Sequence, residues 1–339
     1  MSSAQRWRLW LGAALATGLL AFFFRGIDKD ALGTALRSAH LGYLLLVVLA
    51  SIVVYGLRAW RWGYLLSPIA RAPFVDLFSA TVVGFMSGLL VPRAGEIVRP
   101  FLVSRRHAVT TSAGFATIIL ERLLDLITVL LLFASYLYAV PPAAAAAGPL
   151  MDVVKTGGIL AGLGALTALF LLLAVHARAE QVFGLIDRGL GLLPSWLSAP
   201  LGRMLRAFGG GLAVMQAPLP HLLAILGQSL LVWLVIALGI HWNNLAFDLA
   251  LPFPTTFLIL AFLTVGVAIP TPGMVGGFHG FYILALVGMF GVAQGVAGAA
   301  AITSHALTNL PVLLLGLGFL SREGLTFGRV AQLTEAERP

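Results

Sequence analysis

Gly84 to Arg106 reads GFMSGLLVPRAGEIVRPFLVSRR: an apolar run breaks at Pro92, and Arg93, Glu96, Arg99, Arg105 and Arg106 follow. Lipid cannot hydrate a guanidinium, nor can it bond a backbone carbonyl that a proline has freed. In a chain otherwise so apolar, a stretch of this kind is read as half of an intramembrane site for an anionic headgroup.

The remaining sequence sets the frame. Of 339 residues, 60% are hydrophobic and 10% charged, whereas soluble domains carry roughly 25% charge. The apolar runs are continuous and about twenty residues long, not alternating in segments of about ten, so the fold class is all-α, a polytopic helical membrane protein and not a β-barrel. The absence of cysteine excludes disulfides, thiolate nucleophiles and Cys-ligated metals. Seven histidines stand far apart with no ligand spacing, so neither metal nor other cofactor is expected. A formal charge of +8 fits cytoplasmic arginines facing anionic lipid, not nucleic acid.

In chain order, Arg6 and Arg8 precede an apolar run ending in the bulky FFFRG, which reads as an uncleaved first helix. Residues 41–57 form a second helix that ends in RAWRWGYLL, where Arg58 and Arg61 share a face and Trp60, Trp62 and Tyr64 suit an interfacial belt. Residues 75–91 are marginal for a span, and arginines flank both sides, so the segment is expected to enter and leave by one face as a re-entrant hairpin turning near Pro92. Residues 113–140 are a long span carrying Glu121, Arg122 and Asp125; residues 156–175 return; residues 177–220 read as a cytoplasmic interfacial segment. Residues 221–245 cross again, 253–290 form a second hairpin around PTPGMVGG, and 295–320 are the last span. This topology puts sixteen Lys and Arg on the cytoplasmic side against four outside, with Arg122 in the membrane and both termini cytoplasmic.

Sliding the chain by 178 residues sets Val91, Pro92 and Gly95 on Ile269, Pro270 and Gly273. Within one transmembrane domain spanning 1–339, half-repeats 41–140 and 221–320 then each read span, hairpin, span, entered from opposite faces, which is an inverted repeat.

Four motifs occur in order: Arg58 and Arg61 as RxxR; Pro92, Arg93, Gly95, Glu96, Arg99 and Leu102 as PxRxGExxRxxL; Glu121, Arg122 and Asp125 as ERxxD; and Pro270 to Phe278 as PTPGxxGGF. As a set they resemble the flippase-like family that includes the membrane domain of lysylphosphatidylglycerol synthases, over about residues 40 to 320. The resemblance implies a stand-alone membrane domain that handles lipid, located in a bacterial-type cytoplasmic (inner) membrane. Many relatives carry a glutamate shortly after the PTPG turn; this chain has His279, so no acid's role is carried over to that place.

Each candidate site has a plainer alternative. Arg93 and Arg99 are read as holding a phosphate while Glu96 orients them, or as snorkelling charges that fix topology. Glu121, Arg122 and Asp125 either brace two helices or line the same site, and their net charge of −1 leaves a carboxylate for Arg93 or Arg99. Arg58 and Arg61 lean toward snorkelling. Pro270, Pro272, Gly273, Gly276 and Gly277 form a backbone device whose amides open a half-helix to an anion, and His279 and His305 are read as packed or hydrogen-bonded. The pairs Gly84/Gly88 and Gly273/Gly277 permit close helix packing.

The function expected is a lipid flippase or transporter for an anionic phospholipid or isoprenoid phosphate; the alternatives are an integral membrane transferase acting on a lipid phosphate and a membrane accessory subunit. The partners expected are the lipid and the membrane, with a homo-oligomer or a separate lipid-modifying enzyme as further partners.

Overall fold

The structure, a computed structural model, describes residues 28–91, 94–139, 149–178 and 217–322, with a few isolated positions besides. Expectations for the first helix, for Pro92 and Arg93, for the 141–148 loop, for most of the 177–220 segment and for the C-terminal tail lie outside the described residues.

All regular structure among these residues is helical: α1 (Lys29–Ser38), α2 (Leu41–Leu66), α3 (Phe74–Leu90), α4 (Ala94–Ser104), α5 (Thr111–Ala139), α6 (Pro149–Ala177), α7 (Leu219–Ala246), α8 (Thr255–Ala268), a 3-10 turn (Pro272–Met274), α9 (Gly277–Phe290) and α10 (Gln294–Arg322). Among the described residues, four stretches are long and apolar enough to cross a membrane: Leu41–Leu66, Leu219–Ala246, Pro272–Phe290 and Gln294–Leu320. The third reaches 19 residues only by counting through the left-handed glycines Gly273 and Gly276. Helix α9 itself has 14 residues, about 21 Å against a hydrocarbon core of about 30 Å. Helices α3 and α8, with 17 and 14 residues, are also short, and α4 has only 11. Helix α5 runs for 29 residues and carries three charges near its middle.

Helix α2 continues nine residues past Leu57, where the charged stretch suggested an end. Arg58 and Arg61 are thereby held inside the helix, and the carboxylate that permits this comes from α5.

The order long, short, short, long occurs twice, in α2–α5 and in α7–α10. Helix α2 packs along α7, α3 packs on α4 as α8 does on α9, and α4 packs on α5 as α9 does on α10. The groups also interlock, since α3 lies against α10 and α8 lies against α5. One apolar core surrounds Trp62, Met86, Val98 and Leu124, and a second surrounds Leu258, Tyr282, Leu286 and Ala300.

Within each short pair the helices cross at two glycines eleven residues apart, Gly84 on Gly95 and Gly266 on Gly277. A Cβ at Gly95 would sit 2.9 Å from the Gly84 carbonyl carbon, and one at Gly277 would sit 3.1 Å from that of Gly266. The obstacle is backbone, which cannot rotate aside as a side chain can. Gly277 therefore packs across the turn on α8 and does not form a packing face with Gly273, whose φ of +62° places it in the turn. Gly277→Ala is expected to destabilise the protein by about 1–3 kcal/mol, read as a lower melting temperature in detergent; an unchanged melting temperature would contradict this crossing.

Candidate functional site

Glu121, Arg122 and Asp125 project from the middle of α5 toward three other helices. Glu121 is fully buried and accepts both terminal nitrogens of Arg99, from α4, at 2.8 and 3.1 Å. It also pairs with Arg122, and Arg61 Nη2 approaches it to 3.7 Å. Asp125 takes Arg58 Nη1 at 3.1 Å, Arg61 Nη1 at 2.8 Å and the indole N–H of Trp233 at 3.0 Å; Arg122 lies 3.4 Å from it. Arg61 Nη1 also donates to the Ser229 hydroxyl at 2.9 Å. Helices α2, α4, α5 and α7 thus meet around two carboxylates.

Aromatic rings complete the shell. The Arg99 guanidinium lies 4.5 Å over Trp62, and the ring of Phe85 faces Arg58, Arg99 and Arg122 at 5.3 to 5.8 Å. Such contacts are stronger where the cation is desolvated. Trp62 is completely buried and its indole N–H donates to Thr117 Oγ1 at 3.0 Å, so it belongs to this cluster and not to an interfacial belt, whereas Trp60 is exposed.

The snorkelling expectation for Arg58 and Arg61 is likewise corrected. They are 6% and 0% exposed, because Asp125 gives each a short route to neutralisation that reaching water would not improve. The carboxylate expected to be left over on α5 is Glu121, and its partner is Arg99. Glu96 does not orient Arg99: the guanidinium turns away over Trp62 toward α5, and Glu96 has no ion pair among the described residues.

The charges do not balance. Four guanidinium groups face two carboxylates, and Arg61 Nε and Nη2, Arg99 Nε and Arg122 Nε are buried without a hydrogen-bond partner. Buried donors of this kind are costly unless something accepts from them. Beside them lies a cavity of about 430 Å³. Gly84, Phe85, Gly88, Leu89, Gly95, Glu96 and Arg99 form one wall, Thr264 and Val267 to Thr271 with Met274 form the other, and Tyr55, Ile118, Arg122 and Asn309 close it. Both short-helix pairs therefore contribute to one chamber.

Of the second turn, Pro270 lines the cavity; Pro272, Gly273, Gly276, Gly277 and His279 are not part of the lining. The amides of Met274, Val275 and Gly276 are bonded to Thr271 O, Pro272 O and His279 Nδ1, which leaves the arginines as the principal donors instead of the amides expected there. His305 Nε2 donates to the Gly273 carbonyl at 2.7 Å, and the His279 and His305 rings lie 4.6 Å apart. Both histidines pack against the turn, His279 from α9 and His305 from α10. Among the described residues no group of three or more His, Asp and Glu is placed to hold a metal.

Phe85, Ser229 and Trp233 were not identified from the sequence. Ser229 and Trp233 stand four apart on the apolar helix α7, a spacing that marks one face but names no partner.

One curated relative is the glycosyltransferase AglD of Haloferax volcanii, which is 25% identical over 91% of this chain and 53% of its own length. The chain thus spans about half the length of that relative. A sequence model of the family described as the lysylphosphatidylglycerol synthase TM region matches residues 9–316, and this multi-pass membrane protein belongs to that family.

Proposed function

We propose that this chain moves a lipid with an anionic headgroup, a phospholipid or an isoprenoid phosphate, between leaflets, and that the headgroup occupies the chamber between the two short-helix pairs. The observation that carries the proposal is the cationic edge of the chamber: Arg99 and Arg122 line it, they share two buried carboxylates behind it with Arg58 and Arg61, and the Nε atoms of Arg99 and Arg122 are left without an acceptor. An anion supplies the acceptor those donors lack.

In this proposal α3–α4 and α8–α9 are re-entrant hairpins of an inverted repeat. Their helices are too short to span, their glycine crossings match, and the packing of one half on the other survives exchange of the halves. Helix α6 lies between the halves and reverses the side from which the second is entered. Mutual packing around a shared chamber shields backbone that lipid would leave unbonded. Movement follows from rocking one half against the other.

The protein is assigned to the cytoplasmic membrane with both termini inside. A reporter after Pro339 is expected to read cytoplasmic and one within 141–150 external; an external reading after Pro339 would refute the assignment.

The name of the Haloferax relative supports a second reading, a transferase acting on a lipid phosphate. Reconstitution into liposomes with labelled anionic lipid and a sugar nucleotide separates the two. Unmodified label reaching the opposite leaflet is the expected result; covalently altered label without movement would establish the transferase instead.

A further inference from the structure

We propose that Asp76 latches the cytoplasmic seam between the two halves, where α3 meets α10, and that this seam is an ionic gate sensitive to salt, whereas its counterpart on the external side is an apolar plug. The inference rests on the halves moving apart as proposed above. Asp76 stands in the first turn of α3 with its side chain 17% exposed. Its Oδ1 accepts from Arg106 Nη1 at 3.0 Å and from Arg322 Nη2, at the end of α10, also at 3.0 Å; His107 Nε2 lies 3.1 Å from Oδ2. Arg106 and His107 follow α4 and belong to the same half as Asp76, but Arg322 belongs to the other. A second bond crosses at the same place, since Arg106 Nη2 donates to the Arg322 carbonyl at 3.3 Å, one of the acceptors that a helix end leaves open. Behind the latch Phe78 meets Phe319 edge to face at 5.7 Å, and deeper in the seam Met86 packs on Gly316.

The corresponding seam, where α8 meets α5, is built differently. The crossing glycines Gly84 and Gly95 correspond to Gly266 and Gly277 at a shift of 182 residues, and the same shift takes Asp76 to Leu258 and His107 to Met289. Leu258 and Met289 are 0% and 1% exposed, in one apolar core with Leu132 and Tyr136 of α5. His40 and Asp248, which pair at 3.0 Å, join the ends of α2 and α7 and not α5 to α8. Parting an apolar seam wets side chains at a cost that grows with their area. Arg106 and Arg322 have side chains 33% and 41% exposed, so they already sit at the water boundary and rehydrate as their seam parts. Removing the Asp76 charge does more than loosen the contact, because Arg106 and Arg322 then face each other as like charges across the seam. The two seams are therefore unequal, and the ionic one yields first.

The test follows the seam and not the lipid. The chain has no cysteine, so Met86→Cys, at a position 1% exposed, reports opening through its rate of labelling by a membrane-impermeant maleimide added to inverted membrane vesicles. Combining it with Asp76→Asn or with Arg322→Ala is expected to raise that rate at least about threefold, the scale of partly exposed ion pairs. With the latch intact, labelling should also quicken as salt rises from about 0.05 to about 0.5 M, and respond less once Asp76→Asn is present. Arg322→Ala keeps the contacts of Asp76 with Arg106 and His107, so a carboxylate that only braces its own half would leave this variant at the original rate. Leu132→Cys, in the external seam, is expected to label no faster from the opposite face when either substitution is added. Arg322→Ala without effect on Met86→Cys, or Leu132→Cys quickened alongside it, would overturn the latch. Labelling as expected in a protein that moves no lipid would keep the latch and refute the transport reading; lipid movement while Met86→Cys never labels, with or without the latch, would do the reverse.

Discussion

Glu121→Ala is expected to lower folding stability by about 3–5 kcal/mol, the scale of breaking a buried ion pair from one side. The carboxylate is fully buried and holds Arg99 through both oxygens while also facing Arg122 and Arg61. Its removal leaves Asp125 to balance four guanidinium groups, and Arg99, 2% exposed, loses the one carboxylate it pairs with among the described residues. The cost lies in the stranded cation more than in the lost attraction. Arg99→Leu added to Glu121→Ala should therefore recover much of the loss, a coupling that a double-mutant cycle measures directly. Unfolding in detergent is the readout. A single variant within about 1 kcal/mol of the parent, or a double variant worse than the single, would show that the pair is not the buttress described.

Arg122→Ala is expected to have the largest effect on activity while sparing the fold. Arg122 is the most open member of the cluster, with its side chain 38% exposed. Its two carboxylates have other cations: Glu121 keeps Arg99 and Arg61, and Asp125 keeps Arg58, Arg61 and the Trp233 indole. The chamber, however, loses its accessible guanidinium. Lipid movement in liposomes should fall by at least about tenfold, with unfolding within about 1 kcal/mol of the parent. Arg122→Lys should recover only part of the activity, because a point charge cannot serve two carboxylates and a phosphate together. Full activity in a folded Arg122→Ala protein would place the headgroup elsewhere.

Helices were legible in the sequence because lipid exclusion and residue period act locally. Residues 75–91 became α3, 113–140 became α5 and 295–320 became α10, each within two residues at either end. The misplaced end of α2 shows where local reasoning stops. Arg58 and Arg61 argue for water until Asp125, more than sixty residues away, is brought beside them. Ser229 and Trp233 join the same carboxylate cluster from α7 and could be assigned only once α2 lay along it. Glu96 and Arg99 share a helical face, yet the rotamer of Arg99 follows Trp62 and Glu121, and neither the spacing nor the charge pattern encodes that choice. The correspondence of the two halves was also only partly visible. The prolines match at 178 residues and the crossing glycines at 182, because α8 ends sooner after its crossing glycine than α3 does and brings Pro270 closer to Gly266 than Pro92 is to Gly84.

The central claim is that one chamber joins the two halves and that lipid passes when they move apart. Leu89 and Met274 come from opposite halves, pack in the same small apolar cluster and both line the chamber. The chain has no cysteine of its own, so Leu89→Cys with Met274→Cys introduces a bridge free of competing thiols. Lipid movement measured in liposomes before oxidation, after oxidation or short cross-linking, and after reduction tests the claim. Closure of the bridge is predicted to stop movement and reduction to restore it, while each single-cysteine control moves lipid throughout. A folded protein that cannot be bridged at this pair, or one that is bridged and still moves lipid at the parent rate, would contradict the account.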